Sequence, residues 1–244
     1  MIKVLFFLGM SLFAQTPPPP SDIVYGVNMD FAMPLVGVNR VGEKPQLIEG
    51  IIKDIGDAIF KELKVEPKFS LLPKKRVAPS LVSGKVSFIC HTNEAWQPLI
   101  KDEVLWSETL YKSDNWVVFT KGKAPRKISD LNGQRVGVIL NFVYLNLDSS
   151  FEQKLVLRED SPNTESNLNK LLKGRLSYII MSNIEYEYYK KKYPQLQFAD
   201  VQIGSFMTKC ALSRNSKLSL KSLNKAIERI KENGTLDRIL KKYH

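Results

Sequence analysis

Several groups of residues in this chain have the types and spacing to do chemistry. His91, Asn93 and Trp96 follow an apolar run ending at Cys90 and set hydrogen-bonding groups beside a flat ring. Lys74, Lys75 and Arg76 form a compact basic cluster. Arg158 precedes Asn163 and Thr164, which lead into a helix pattern, so a cation and free helix N–H groups could meet there and hold an anion. Asp30 with Phe31, and Phe142 with Tyr144, carry aromatic rings in loops that follow strand patterns. Polar strand ends beside rings suit capture of a small polar molecule, because open α/β sheets bind ligands at strand ends.

Other chemistries find less support. Glu94 beside His91 is a generic acid–base pairing, and no nucleophile elbow or nucleotide loop accompanies it, so an enzyme is not expected. His91 and His244 are the only histidines and there is no Cys-x-x-Cys, so neither a metal site nor another cofactor is expected. The formal charge of +11 suits nucleic acid, an anionic membrane or an anionic solute. Lys3, the apolar run Val4 to Phe13 and Ala14 read as an export signal too short to span a bilayer. The prolines Pro17 to Pro20 extend it as a stiff leader, so residues 1–21 are set apart and the cleavage site stays open. Export implies a periplasmic location and removes nucleic acid as a partner; a monomer is expected. It also permits a disulfide between Cys90 and Cys210, while two buried thiols fit the sequence as well.

These residues need elements to position them. Asp22 to Asn28 reads as a first strand, and Leu47 to Leu63 as an amphipathic helix with Leu47, Ile51, Ile52, Ile55, Ile59 and Leu63 on one face. A strand near Lys68 to Leu72, a short helix near Pro79 to Ser83 and the strand Val86 to Cys90 follow. Alternation of strands and helices implies a largely parallel sheet. Asn115 to Thr120 leads into a second set of elements that includes "DLNGQRVGVI" and the helix around Leu168 to Leu172. Gly174 stops that helix, a short apolar strand follows, and Ser182 with Glu185 has the spacing of a capping box for the next helix. "LVSGKVSFICHTNEAW" repeats the helix–glycine–strand pattern of this stretch, so two α/β lobes with strand ends facing a shared cleft are expected. Lys209 to Ser213 returns the chain, Leu220, Leu223, Ile227 and Ile230 line a helix, Gly234 stops it and Thr235 caps a last turn.

The segments "GVNMDFAMPLVG", "EGIIKDIGDAIFKEL", "LPKKRVAPSLVSGKV", "LWSETLY", "LNGQRVGV", "NLNKLLKGRLSYII" and "LNKAIERIKENGTLDRILKKY", in this order, resemble the family 3 extracytoplasmic solute-binding proteins of polar amino-acid ABC importers. The resemblance covers nearly the whole chain after the leader. It implies the type II periplasmic-binding fold, with lobe one from residues 22–113 and 207–244, lobe two from 114–206, and closure about hinges near Tyr111 to Trp116 and Phe206 to Cys210. An ABC permease or another membrane partner is implied, with a sensor input module or a dehydratase-like enzyme as the alternatives. In the fold resembled, the strand bearing Cys90 neighbours the one bearing Cys210.

The departures from that family bear on the ligand. Leu99 or Ile100 stands where an Arg clamps the ligand's carboxylate, Trp96 stands near a Thr, and Ser182 replaces an Asp that holds the ammonium. "LNFVY" replaces a Gly-Ser/Thr loop, so Phe142 and Tyr144 make that wall aromatic. Lys74 or Lys75 falls where the family has an aromatic facing the ligand. With Arg158 they suggest a basic cleft whose anionic solute is gripped by Arg76 or a neighbouring Lys. The expected ligand contacts are thus Asp30, Phe31, Lys74, Lys75, Arg76, His91, Asn93, Trp96, Phe142, Tyr144, Arg158, Thr164 and Ser182.

Overall fold

The computed structural model describes residues 22–244; the export segment expected at residues 1–21 lies outside them. The chain runs through β1 (Tyr25–Asn28), β2 (Gly37–Asn39), β3 (Gln46–Glu49), α1 (Ile51–Leu63), β4 (Phe69–Leu72), α2 (Lys74–Val82), β5 (Phe88–Thr92) and β6 (Val104–Trp106). It continues through β7 (Lys112–Phe119), β8 (Arg135–Ile139), α3 (Leu145–Glu152), β9 (Leu157–Ser161), α4 (Thr164–Leu172), β10 (Tyr178–Ser182) and α5 (Asn183–Lys192). The last elements are β11 (Gln197–Met207), β12 (Lys209–Ser213), α6 (Leu220–Glu232) and α7 (Thr235–Lys242).

Two five-stranded sheets organise the molecule, in the orders β4-β1-β5-β12-β6 and β11-β7-β10-β8-β9. Each has a parallel half, made by β4, β1 and β5 in one and β10, β8 and β9 in the other, joined to antiparallel strands. The first sheet draws on both ends of the described chain and the second on its middle. β7 and β11 pair from Lys112↔Met207 to Asn115↔Gly204 as the chain passes between the sheets. Thr208 seals this passage: its Oγ1 donates to the Tyr111 carbonyl at 2.8 Å and is fully buried.

Amphipathic helices cover the sheets. Ile51, Ile52, Ile55 and Ile59 of α1 are buried against the first sheet together with Leu223, Ile227 and Ile230 of α6. On the second sheet, Leu168 and Leu171 of α4 pack with Ile179, Met181, Tyr186 and Tyr189. Burying such side chains contributes roughly 1.5–3 kcal/mol each, which holds the strand ends in place.

Several boundaries depart from sequence expectation. Leu47 belongs to β3, and α1 begins only at Ile51 because Gly50 turns the chain with a φ of 121°. A Cβ at Gly50 would lie 2.5 Å from the Leu35 carbonyl oxygen, so only glycine fits. The first free N–H groups of α1 donate to the Pro34 and Leu35 carbonyls, which fastens the loop carrying Phe31 to the helix. Helix α2 starts at Lys74, well before Pro79, because Asp30 reaches from the first loop and accepts the Lys74 backbone N–H at 2.9 Å. Gly234, with φ 70°, is the residue preceding α7, and Thr235 is already helical rather than its cap.

Candidate functional site

A cavity of about 260 Å³ lies between the two sheets and is walled from both. From the first sheet's side come Asn28, Asp30, Phe31, Lys74, His91, Thr92, Trp96 and Gln97. From the second side come Ser113, Asn115, Asn141, Phe142, Tyr144, Asn163, Thr164, Ser182 and Glu185. Phe31 and Phe142 meet edge to face across it, with ring centroids 6.1 Å apart.

The elements explain these positions. The bulge in the pairing of β5 with β12 falls at His91, whose φ is 56°: Thr92 pairs with Lys209 and Cys90 with Cys210, leaving His91 without an opposite residue. That turn carries the imidazole into the cavity wall, where Nδ1 lies 2.7 Å from the Tyr111 hydroxyl. Burial lowers the His91 pKa to about 4, so the ring is neutral at physiological pH. It sits between Phe31 and Trp96 at 5.5 and 5.7 Å. A disulfide joins Cys90 to Cys210 immediately beneath it.

Lys74 crosses the cleft. Its Nζ donates to the Leu140 carbonyl at 3.1 Å and stands 3.7 Å over the Phe142 ring. Burial and then the nearby Arg158 lower its pKa to about 8, against the opposing pull of Asp30. On the far wall, the Ser182 hydroxyl accepts the Glu185 N–H, and the Glu185 carboxylate accepts from the Ser182 N–H and hydroxyl. The Thr164 hydroxyl also donates to that carboxylate. Tyr144 turns its ring to the cavity while its hydroxyl accepts the Ile139 N–H at 3.0 Å.

Not every expected contact reaches the cavity. Lys75 and Arg76 are exposed, because successive helical residues point about 100° apart and only Lys74 of this run faces inward. Arg158 is taken up behind the wall: it pairs with Asp160 at 3.0 Å and donates to the Ile139 and Phe142 carbonyls, both at 3.2 Å. It supports the Phe142 loop instead of offering a free cation. Asn93 lies outside the lining and its Oδ1 accepts the Trp96 N–H, so it positions the indole. The basic cleft expected from these cations is therefore not assembled. Ile100 packs in the first sheet's core and Leu99 is 91% exposed, so neither offers anything to a carboxylate.

Glu94 has no contact with His91; it pairs with Lys209 at 2.6 Å, which dissolves the acid–base pair. No group of metal-ligating side chains occurs among the described residues, and none of their helices is long and apolar enough to cross a membrane. Asn28, Asn115 and Glu185 line the cavity without having been singled out as ligand contacts. Asn28 ends a strand, the signal that pointed to His91, and Glu185 was visible only as a cap.

The wider comparisons agree with this architecture. The arginine-binding extracellular protein ArtP of Bacillus subtilis is 26% identical over 85% of this chain and 79% of its own length. A probable histidine-binding protein of Neisseria gonorrhoeae is 24% identical over 96% of this chain and 88% of its own. An ancestral arginine-binding protein bound to arginine superposes with a TM-score of 0.73 at 23% identity, covering 92% of this chain and 99% of that one. The fold is the type II periplasmic-binding architecture. The family match extends over residues 39–244, and the chain belongs to the bacterial extracellular solute-binding proteins, family 3.

Proposed function

We propose that this binding protein captures a small polar solute of amino-acid size in the cleft by closure of two lobes and presents it to an ABC-transporter permease. The observation that carries this is a cavity walled from both sheets, which communicate through two paired strands, β7 and β11. Lobe one would comprise residues 22–113 and 207–244 and lobe two residues 114–206. At about 260 Å³ the cavity is slightly smaller than the ~300–1,000 Å³ typical of drug-sized ligands, which suits an amino acid. Asp30, Phe31, Lys74, His91, Trp96, Phe142, Tyr144, Thr164 and Ser182 are the contacts we assign to the solute. The arginine- and histidine-binding relatives support an amino-acid-like ligand. The Cys90–Cys210 bond supports an oxidising, extracytoplasmic location.

Thermal-shift screening against amino acids, amines, organic acids and nucleosides tests the reading. A ligand at a hundredfold excess over its Kd should stabilise the fold by about 2.7 kcal/mol. Small-angle scattering with that ligand should show compaction relative to the free protein. Failure of every compound class to stabilise the protein would remove the solute-binding assignment for this cleft; an unchanged radius at saturation would remove closure alone.

A further inference from the structure

The chain as a whole carries a charge of +11, yet the charged side chains lining its cavity are Asp30, Lys74 and Glu185. With His91 neutral, two carboxylates face one ammonium. Asp30 and Lys74 offset each other at the mouth, where Asp30 also caps α2. Glu185 has no such partner. It is only 8% exposed, it lines the cavity, and among the described residues it forms no ion pair. Its donors are the Thr164 hydroxyl and the N–H and hydroxyl of Ser182. A carboxylate accepts about four hydrogen bonds, so one site stays open. The α5 dipole contributes about half a positive charge at this end and leaves the spot negative. A buried carboxylate that has hydrogen-bond donors but no ion-pair partner among the described residues, placed in a ligand cavity, calls for a cation from the ligand.

We propose that Glu185 is the anchor for the cationic group of the solute and that the ligand class is a small organic cation, an amine or guanidine, whose carboxylate is dispensable. The second half follows from the rest of the lining: among the described residues no Arg lines the cavity, Ile100 is in the first sheet's core, and Lys74 is already engaged with Leu140 and Phe142. The proposal rests on the cleft being the solute site.

Calorimetric titration of the full protein with L-arginine, L-histidine, agmatine, histamine, succinate and 2-oxoglutarate decides it. Agmatine or histamine should bind within about tenfold of its parent amino acid, and the two dianions should not bind. Glu185→Gln should weaken the cations on the order of tenfold or more, the loss of one charge-assisted contact. Glu185→Asp, which keeps the charge but shortens the cap, should weaken them less. A purely structural role predicts the reverse order, because Gln still caps and Asp does not reach, and that order overturns the proposal. Preference of the wild type for succinate or 2-oxoglutarate, or loss of binding on removing the carboxylate, also overturns it while the solute-binding reading stands. If no compound of any class binds in the broad screen, both fall together.

Discussion

Two stretches of this molecule share a local pattern and end differently. α2, Gly84 and β5 in one half correspond to α4, Gly174 and β10 in the other, and each delivers a strand end to the cavity. After β10 the chain enters α5 at once, held by the reciprocal hydrogen bonds of Ser182 and Glu185. After β5 no helix forms. His91 bulges out within β5 at φ 56°, Asn93 then turns the chain toward Trp96, and a disulfide pins the strand to β12. One wall is set by residues three apart, the other by partners more than a hundred residues away. The first kind of wall is built from local polar bonds and the second from long-range covalent and packing contacts, so they should fail under different insults.

The largest difference should come from the disulfide, which closes a separation of 120 residues. Replacing Cys90 and Cys210 together by Ser should lower the urea-unfolding free energy by about 2–5 kcal/mol. The native protein should show no reactive thiol when denatured without reductant; two thiols would contradict the bonded strand pair.

Acid should attack the same wall next. The unfolded His91 takes up a proton below its usual pKa of 6.5, whereas the folded one waits until about 4. Stability is therefore unaffected by this group above pH 6.5 and falls as the pH drops between those values, by about 2 kcal/mol from pH 7 to pH 5. Thermal melts of wild type and His91→Asn across this range test it. Equal slopes for the two proteins would exclude His91 as the source.

The capped wall should respond more weakly. Ser182→Ala removes one acceptor at the head of α5 and should cost about 1 kcal/mol with no dependence on reductant. Smallest of all is the bridge between the walls: Lys74→Met keeps the stem over Phe142 but loses the charge, a change of roughly 0.5–1 kcal/mol. A drop as large as that from the disulfide would mean that Lys74 carries the contact between the halves, contrary to this ranking.

Much of the fold was legible because its signals are local. The Ser182–Glu185 spacing, the stop at Gly174 (φ 68°) and the apolar faces of α1 and α6 each depend on residues within a turn or two. The boundaries that moved depend on distant groups. The start of α2 requires Asp30, 44 residues earlier, and the turn at Gly50 answers to the Leu35 carbonyl. The site divides in the same way. Aromatic residues and strand-end polar groups were visible as types, but which cation of the 74–76 run faces inward depends on where a helix begins. In the sequence Arg158 stands beside Glu159 and Asp160, which leaves open whether it serves a ligand or pairs with one of them; in the fold Asp160 takes it up while Glu159 pairs with Lys170.

The alternation of strands and helices, the Ser182–Glu185 capping box, the glycine stop at Gly174 and the family could all be read from the sequence alone. Hydrophobic period and capping are properties of neighbours along the chain, and they survive without any knowledge of the fold. Tertiary structure alone decided the character of the cavity. A basic chain encloses a lining of Asp30, Lys74 and Glu185, because exposed cations stay with water while a buried carboxylate held by Thr164 and Ser182 is kept where the two sheets meet.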